Sequence, residues 1–421
     1  EKLMADKTIL IVGTYDTKND ELDFIAGKIR AQGGGTLTLD VSVLGDPAQP
    51  TDISKHEVAD AGGSSIEEAI ASGSEHVAMN TMSKGACVLS QKLCEEGRID
   101  GVIVLGGTMG TDLALDVCQG LPLGLPKYVV STVSFSALIP SERLSPDIQM
   151  ILWAGGLYGL NAICRSSLAQ AAGAVLGAAR AAEPTGTDKP LIGITSLGTS
   201  CLKYIKFLKP ALEERGYDVA VFHAMGMGGM AFEQIAAQKG FACVFDFAGC
   251  ELGNLMAGSV VNAGKDRHRA AGRAGIPQLV APGCMDLIDF AGWQEIPERF
   301  RDRPLHIHNK LVTNTIYNAE ERREIARELN RRIGESDAPT HLFIPGGGIE
   351  EWDRPDGDCH DPEGLDAFLS ELRATVANGV SVSDTDLHIN DPEFSDLALE
   401  VFDAWVAQGI VPAAQRAGNV Q

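Results

Sequence analysis

The 421-residue chain has few aromatic residues, a deficit of basic ones and no long run of apolar residues. Aromatic side chains make up 6% of the sequence while glycine contributes 47 residues, which is typical of α/β proteins with many strand–loop–helix turns. The 35 basic residues are outnumbered by 57 acidic ones, and the net charge of −22 disfavours nucleic acid and anionic membranes as partners. Residues 150–179 carry little charge but contain Arg165 and many small residues, so we interpret them as a strand and a packed helix, not a membrane span.

Several common catalytic and metal-binding motifs are also missing. The sequence has no H-E-x-x-H, no spaced Cys/His quartet, no G-x-S-x-G and no Walker A motif, so none of these assigns a chemistry. Its nine cysteines form no C-x-x-C pair and most lie in apolar surroundings, which predicts reduced thiols in a cytoplasmic protein. The N-terminal residues lead directly into a predicted strand, and we expect no signal peptide.

Short β-rich runs alternate with helical patterns along the whole chain. This alternation predicts an α/β protein in which mainly parallel sheets are flanked by crossover helices. A chain of this length suits two domains. Residues 183–190 are turn residues without an apolar period and predict a linker, so we expect domains at 1–183 and 190–421.

The periodicity predicts the individual elements as follows. In the first domain the strands are expected at residues 8–12, 36–41, 102–105, 128–131 and 148–152, with helices at 20–32, 66–70, 79–96, 111–119 and 160–182. In the second the strands are expected at 191–195, 218–222, 242–247, 278–280, 304–307, 341–344 and 381–387, with helices at 201–215, 319–333, 362–375 and about 394–408. Ligands of open parallel sheets bind at the carboxyl ends of strands, so the loops after these strands are the candidate sites.

The most informative loop follows the third predicted strand. Four apolar residues end in Gly106, Gly107, Thr108, Met109, Gly110 and Thr111, and an apolar helical segment follows at once. Such a turn presents backbone N–H groups and hydroxyls at the positive end of a helix dipole, which predicts a seat for a phosphate or a carboxylate. Simple packing of glycines after a strand is the alternative interpretation.

Two more loops of the first domain carry polar residues. The loop after the first predicted strand contains Gly13, Thr14, Tyr15, Asp16, Thr17 and Lys18. These residues suit contact with a phosphate or a ribose, although Thr17 as a helix cap with Lys18 facing solvent is an alternative. Ser131, Thr132 and Ser134 follow the fourth predicted strand and extend the same predicted pocket.

In the second half, His223 lies in a glycine-rich loop and can donate a hydrogen bond or act as an acid or base, or can be a structural histidine. Residues 195–200 precede a predicted helix and are a further candidate anion site. Asp246 and Glu251 are candidate acids. His306 and His308 flank Ile307, so in a strand both imidazoles would face one side, either as metal ligands or simply at a strand end. Glycine and acidic clusters at 345–361 and 384–391 indicate no specific site.

Six segments together resemble a known family. Residues 13–18, 106–111, 126–132, 222–229, 271–277 and 388–394 are similar, in order, to segments of the "Tm-1-like ATP-binding domain" family. That family comprises the inhibitory region of the tomato mosaic virus resistance protein together with bacterial and fungal relatives. The resemblance implies an N-terminal Rossmann-like domain that binds ATP, a second α/β domain and a homodimer. The plant protein's antiviral activity is not carried over to this chain.

Two positions differ from the family pattern. The glycine turn of the family usually reads Gly-Gly-Ser-Gly-Gly-Thr, whereas Thr108 and Met109 replace the serine and the following glycine here. Met109 adds a side chain where a backbone can otherwise approach a ligand closely. Trp153 stands where relatives usually have an acidic or polar residue. Both differences bear on ligand preference.

Three hypotheses follow. In the first, the protein is a cytoplasmic ATP-binding protein whose ligand lies at the N-terminal strand ends and in the cleft between the domains. Asp16 would then hold Mg²⁺ or a ribose hydroxyl, and Lys18 would supply positive charge. The other expected contacts are Gly13, Thr14, Thr17, Gly106, Gly107, Thr108, Gly110, Thr111, Ser131 and Thr132.

In the second hypothesis, the protein is an enzyme that acts on a small organic acid or a phosphorylated metabolite, with ATP as co-substrate or regulator. Its candidate catalytic residues are His223, Glu251, His306 and His308. In the third, the protein is an interaction module whose pockets no longer bind small molecules.

Overall fold

The computed structural model describes residues 7–186 and 188–414, and the chain divides into two compact units between Thr185 and Gly186. Each unit contains a parallel sheet with helices packed on its faces. The predicted fold class, two Rossmann-like domains with mainly parallel sheets flanked by helices, is therefore confirmed.

The N-terminal domain contains a five-stranded parallel sheet. Its elements are β1 (Thr8–Gly13), α1 (Asn19–Ala31), β2 (Gly35–Asp40), α2 (Lys55–Ala61), α3 (Ile66–Ala71), α4 (Glu75–Glu95), β3 (Gly101–Gly106), α5 (Thr108–Gly120), β4 (Lys127–Ser131), β5 (Ile148–Leu152) and α6 (Ala162–Ala181). The strand order is β2-β1-β3-β4-β5. The chain turns to one side of β1 to form β2 and returns to the other side to form β3, so the crossovers diverge between β1 and β3.

The C-terminal domain repeats this arrangement in a six-stranded parallel sheet. Its elements are β6 (Leu191–Ser196), α7 (Ile205–Glu214), β7 (Asp218–His223), α8 (Met227–Ala237), β8 (Cys243–Asp246), α9 (Cys250–Ala257), α10 (Ala270–Arg273), β9 (Gln278–Val280), β10 (Leu287–Ala291), β11 (His306–Ile307), β12 (Val312–Ile316), α11 (Ala319–Gly334), β13 (Thr340–Pro345), α12 (Pro362–Thr375), β14 (Ser381–Thr385) and α13 (Pro392–Ala407). The strand order is β14-β13-β9-β8-β6-β7, so the crossovers diverge between β6 and β8. Strands β10, β12 and β11 form a separate antiparallel sheet.

The apolar runs of the sequence form the cores because both faces of each parallel sheet are covered. In β1, Ile9 and Ile11 belong to the core on one face, whereas Leu10 and Val12 belong to the core on the other. All four side chains are fully buried. The two-residue period of a strand thus turns one continuous apolar run into two helix-binding surfaces.

The structure differs from the predicted elements at three places that affect the candidate sites. Helix α5 begins at Thr108, not at residue 111. Helix α7 begins at Ile205, not at 201, because Leu197 and Cys201 exchange two backbone hydrogen bonds that close a loop before it. The strand expected at 304–307 is only the two-residue β11, and it pairs antiparallel with β12, a strand that the sequence pattern did not reveal.

Within the described ranges, 7–186 and 188–414, no helix has both the length and the apolar character that a bilayer span requires.

Candidate functional site

The carboxyl ends of β1 and β3 border a cavity of about 350 Å³. Its lining combines the first predicted loop with the glycine-rich loop: Gly13, Thr14, Thr17 and Lys18 lie on one side, and Gly106, Gly107, Thr108, Met109 and Gly110 on the other. This is the point where the crossovers diverge, at which open α/β sheets bind their ligands. The structure therefore brings together two loops that lie almost ninety residues apart in the sequence.

The helices that begin at this cavity have open N-termini. Of the six helices described in this domain, α2, α3, α4 and α6 are each capped by the side chain of a serine or asparagine. Helices α1 and α5, which follow β1 and β3, have no side-chain cap. The first N–H groups of a helix have no partner within it, so those of Thr108, Met109 and Gly110 are available to an acceptor in the cavity.

Gly106 allows α5 to begin directly over the end of β3. A Cβ atom on Gly106 would lie 2.5 Å from the Cα of Gly110, closer than packed atoms can approach. Gly107 is the N-cap residue and adopts an extended conformation with φ of −77°. The Met109 side chain remains 45% exposed at the rim of the cavity. The glycine that the site requires for close packing is thus Gly106.

Lys18 lies on the opposite wall. Its Nζ is 5.0 Å from the centre of the Tyr158 ring, a cation–π distance, and Lys18 forms no ion pair within the part of the chain that the structure describes. Tyr158 is held near α1 because Glu21 accepts a hydrogen bond of 2.9 Å from the backbone N–H of Gly159. Lys18, whose ammonium group is not neutralised by a carboxylate among the described residues, therefore lines the same cavity as the open N-terminus of α5.

A second cavity of about 320 Å³ adjoins the first. The two share the lining residues Thr14, Thr17, Val41, Met79 and Met109. The second cavity is lined mostly by aliphatic side chains, which also include Val43, Leu44, Ala69, Ile70 and Ala78. A cavity lined by two glycine-containing loops and a pocket lined mostly by aliphatic side chains thus lie side by side.

Asp16 lines the aliphatic pocket, and only one of its two carboxylate oxygens accepts a hydrogen bond from the described residues. Its Oδ2 accepts a hydrogen bond of 3.1 Å from the backbone N–H of Gly45, and its own N–H donates to Ser42 Oγ at 3.0 Å. Its Oδ1 is buried and has no hydrogen-bond partner among the described residues. The local fold therefore leaves the hydrogen-bonding capacity of this oxygen unused.

Thr111, Ser131 and Thr132 do not line either cavity. The hydroxyls of Thr111 and Ser131 are buried and lie 2.6 Å apart, and Thr111 Oγ1 also donates to the carbonyl of Gly107 at 2.7 Å. Both residues hold the first turn of α5 against β4. The N–H of Thr132 donates to the carbonyl of Gly106 at 3.3 Å and supports the same turn from behind.

The corresponding point of the C-terminal domain is filled by side chains. Arg267 is fully buried and donates two hydrogen bonds to Asp246, at the end of β8, and one of 2.7 Å to Glu251. His268 Nδ1 lies 2.8 Å from the Asp246 carboxylate. Thr195, at the end of β6, donates to Asp246 Oδ1 at 2.8 Å. This network occupies the space beyond β6 and β8.

Glu251 belongs to that buried network and does not line the cavity that His223 lines. Its Oε1 accepts hydrogen bonds from the backbone N–H groups of Gly226 at 2.6 Å and Gly229 at 3.1 Å, so it occupies the N-terminus of α8. Burial raises the pKa of Glu251 to about 7. A Cβ on Gly229 would lie 1.8 Å from the Glu251 carboxylate, so that position requires glycine. Glu251 therefore fixes the loop that follows His223.

His223 and His308 line one cavity of about 130 Å³ in this domain. Partial burial lowers the pKa of His223. His306 lies outside the lining: its ring is 4.5 Å from that of Trp352, and its Nδ1 is 3.2 Å from Asp358. The rings of His306 and His308 are 6.3 Å apart. Across the described ranges, no group of three or more His, Cys, Asp or Glu side chains has the geometry to hold a metal ion.

Four further buried polar residues of this domain were, like Arg267 and His268, missed by sequence reasoning. Asp289 and Asn314 form the floor of the His223 cavity, in strands β10 and β12. Asp286 and Glu350 are buried carboxyls that follow β9 and β13, and neither oxygen of Asp286 has a partner among the described residues. Burial raises the pKa of Asp286 to about 7 and, together with the charge of Asp286, that of Glu350 to about 10. An acid within the apolar run 284–288 was the signal available for Asp286.

Comparison with known proteins extends the relationship over both domains. Residues 7–184 match the N-terminal domain, and residues 189–406 the C-terminal domain, of the uncharacterised protein family UPF0261. A UPF0261 protein of Brucella melitensis is 53% identical over 403 residues, 96% of each chain. A UPF0261 protein of Clostridium tetani is 36% identical over 392 residues, 93% of this chain and 96% of its own.

The similarity to the plant protein is more distant. The ToMV resistance protein Tm-1 of Solanum lycopersicum is 26% identical over 426 residues, which cover 94% of this chain and 55% of the tomato protein. A crystal structure of UDP-N-acetylglucosamine 2-epimerase aligns at 9% identity with a TM-score of 0.19, over 98% of this chain and 100% of its own. That score is too low to bear on fold or function. The family descriptions name no ligand, so ATP binding stays a prediction.

Proposed function

This chain belongs to the UPF0261 family, and we propose that its N-terminal domain binds a nucleotide, ATP with Mg²⁺, where the crossovers of its sheet diverge between β1 and β3. The observation that carries the proposal is the open N-terminus of α5 at the wall of a cavity that also contains Lys18. Backbone N–H groups with a helix dipole behind them favour a phosphate, and a nearby ammonium group adds to that preference.

The size of the two adjoining cavities supports a nucleotide over a simple anion. Each has a volume of more than 300 Å³, within the range of sites for cofactor-sized ligands. The phosphates fit the cavity bordered by Gly107 and Lys18. The base fits the aliphatic pocket formed by Val43, Ile70 and Met79.

Asp16 supports the magnesium part of the proposal. Its buried Oδ1 lacks a partner among the described residues, which is unfavourable unless a ligand supplies one. Asp16 lines the pocket that adjoins the phosphate cavity, and we propose its Oδ1 as a ligand of Mg²⁺ because this ion prefers carboxylate and phosphate oxygens. The same atom can accept a hydrogen bond from a ribose hydroxyl.

Isothermal titration calorimetry with ATP, ADP and AMP, each with and without Mg²⁺, tests the proposal on the full chain. We expect ATP with Mg²⁺ to bind most tightly. Lys18→Ala should weaken ATP at least tenfold and AMP much less, because hydrogen bonds between charged groups contribute about 1.5–3 kcal/mol. Melting of this variant should be unchanged.

Lys28→Ala is the matched control. Lys28 lies on α1, the helix that Lys18 precedes, and its ammonium group also packs over an aromatic ring, 5.3 Å from the centre of the Phe24 ring, but Lys28 does not line the cavity. Its affinity for ATP should equal that of the unmodified protein. Absence of nucleotide binding, or equal affinity of the Lys18 and Lys28 variants, would reject the assignment and favour the interaction hypothesis.

A further inference from the structure

The C-terminal domain has a cavity that lies away from the point between β6 and β8 where its crossovers diverge. This cavity lies beyond the ends of β6 and β7 and is covered by the antiparallel sheet of β10, β11 and β12. Residues 197–200, His223 and Met225 form one wall, and His308, Asn309 and Trp352 form another. Asp289 and Asn314 form the floor. Its volume of about 130 Å³ is well below the ~300 Å³ of pockets for cofactor-sized ligands, so a nucleotide is too large for it.

The loop at residues 197–201 presents backbone donors to the cavity. It is closed by hydrogen bonds of 3.1 and 3.0 Å between the main chains of Leu197 and Cys201, and Gly198 has a left-handed φ of 46°. Within the described residues, the N–H groups of Thr199 and Ser200 have no hydrogen-bond partner. Successive N–H groups in a turn with one left-handed residue form a concave site for an anion.

His223 supplies a third donor. Its Nδ1 accepts a hydrogen bond of 3.4 Å from the N–H of Gly198, so that nitrogen is unprotonated and the ring proton lies on Nε2. Burial lowers the pKa of His223, which favours this neutral form at neutral pH. A neutral imidazole with its proton on Nε2 donates to an oxygen of a ligand without binding it as an ion pair.

Asn314, a residue of the cavity floor, carries a buried acceptor. Asn314 Nδ2 donates to Asp289 Oδ1, and this bond fixes the orientation of the amide because an ionised carboxylate only accepts. Asn314 Oδ1 is left buried without a partner among the described residues, and the residue is 4% exposed. Asp289 Oδ2 in turn accepts a hydrogen bond of 2.7 Å from Asn254, so both of its oxygens are occupied.

We propose that this cavity is a second ligand site, which binds a small hydroxycarboxylate of about three or four carbon atoms. The N–H groups of Thr199 and Ser200 hold the carboxylate, and Asn314 Oδ1 accepts a hydrogen bond from the hydroxyl. His223 Nε2 donates to a ligand oxygen, and His308 closes the site from the hairpin that joins β11 and β12. A hydroxyl satisfies the orphaned acceptor, whereas a ligand without one leaves it unpaired.

Calorimetric titration of the full chain with D-glycerate, L-lactate and propionate tests the proposal. The hydroxy acids should bind, and propionate should bind at least tenfold more weakly because it lacks the hydroxyl. His223→Ala and His308→Ala should each weaken glycerate binding at least fivefold without a change in melting temperature. His306→Ala is the matched control, since this neighbouring histidine does not line the cavity, and its affinity should be unchanged.

Three results would overturn the proposal: no binding of either hydroxy acid, equal affinity for lactate and propionate, or unchanged glycerate affinity of the His223 variant. The site lies in the other domain from the nucleotide site. ATP titrated into the same samples should bind the His223 variant as it binds the unmodified protein, so failure of either proposal is detected separately.

Discussion

The two domains place their strands in the same way but use the point of divergence differently. Between β1 and β3 the structure leaves a cavity of about 350 Å³. Beyond β6 and β8 the corresponding space contains Arg267, His268 and Met285: a Cβ on Gly249 would lie 2.2 Å from Met285 Cε and 2.8 Å from His268 Nε2. Sheet topology therefore creates the position for a site, and the side chains that follow the strands determine whether a ligand can enter it.

The helix N-termini show the same difference on a smaller scale. Helix α5 begins after Gly107, which provides no side-chain cap, whereas the buried carboxylate of Glu251 accepts hydrogen bonds at the N-terminus of α8. Both helices follow loops whose sequences are similarly rich in glycine. A glycine-rich turn before a helix thus predicts an anion, but that anion can be a side chain of the protein itself.

The largest effect is expected from the loss of Arg267, the cation of the buried network beyond β6 and β8. Arg267→Met leaves the buried Asp246, Glu251 and Glu233 without their shared partner and should lower the free energy of unfolding by about 3–5 kcal/mol. Urea unfolding measures the effect. Arg273→Met is the control, because Arg273 is 53% exposed and its loss should change stability by less than about 0.5 kcal/mol. Equal stability of the two variants would contradict the structural role of the network.

The pH dependence of the free energy of unfolding tests the buried carboxyl of Asp286 in the same domain. Burial raises the pKa of Asp286 from 3.8 to about 7, so between these values the folded protein retains a proton that the unfolded chain releases. Stability that is present below about pH 4 is therefore lost as the pH rises through 7. The neighbouring Arg322 opposes this shift and Asp353 adds to it.

Asp286→Asn removes this titration without a change in shape. At pH 8 the variant should be more stable than the unmodified protein by up to about 4 kcal/mol, and near pH 4 the two should be equal. Thermal and urea unfolding at both pH values check this result. Asp356→Asn, at an exposed position, should show no such gain. A destabilised Asp286 variant at pH 8 would mean that this carboxylate is paired when ionised.

Gly107→Asp should convert the open site into a filled one. A Cβ on Gly107 meets only Thr132 Oγ1, at 3.8 Å, so the residue fits, and its carboxylate can cap α5 as Glu251 caps α8. We expect ATP affinity to fall at least thirtyfold while the melting temperature stays equal or rises slightly. Gly107→Asn, which caps without charge, should lower affinity less. Unchanged affinity of the aspartate variant in calorimetry would reject the phosphate seat.

The smallest expected effect concerns Met109, which lines both N-terminal cavities. Met109→Ala removes apolar surface from the wall of the base pocket, and because the side chain is 45% exposed only part of its contact is lost. ATP affinity should fall about threefold to tenfold, and phosphate-only ligands such as pyrophosphate should bind as before. An increase in ATP affinity would show that Met109 obstructs the pocket.

The sequence predicted the parts of the fold that have a strong local signal. The apolar runs of β1 and β3 and the polar loops after them are continuous in sequence, and parallel topology brings those loops to one edge of the sheet. The direction of each side chain was harder to infer. The sequence pattern predicted Thr111 and Ser131 as phosphate ligands, but their hydroxyls form a hydrogen bond with each other. The two residues are twenty positions apart in the sequence, and their contact depends on how α5 packs on β4.

Sequence patterns also failed where signals are short or polar. Strand β12 has the sequence Val-Thr-Asn-Thr-Ile and pairs with a two-residue strand, so neither has the apolar period of a core strand. Asn314, on the floor of the second cavity, was missed for this reason. Glu251 reads as a candidate acid because nothing in the local sequence indicates that Gly226 and Gly229 will hold its carboxylate.

The close contact between Gly106 and Gly110 has a kinetic consequence. Because α5 starts directly on the end of β3, its free N–H groups are held in place before any ligand arrives. Binding then requires no ordering of a loop, so little conformational entropy is lost at the seat. Association with an anion should accordingly be limited by diffusional encounter, and differences among related anions should lie mainly in their rates of dissociation.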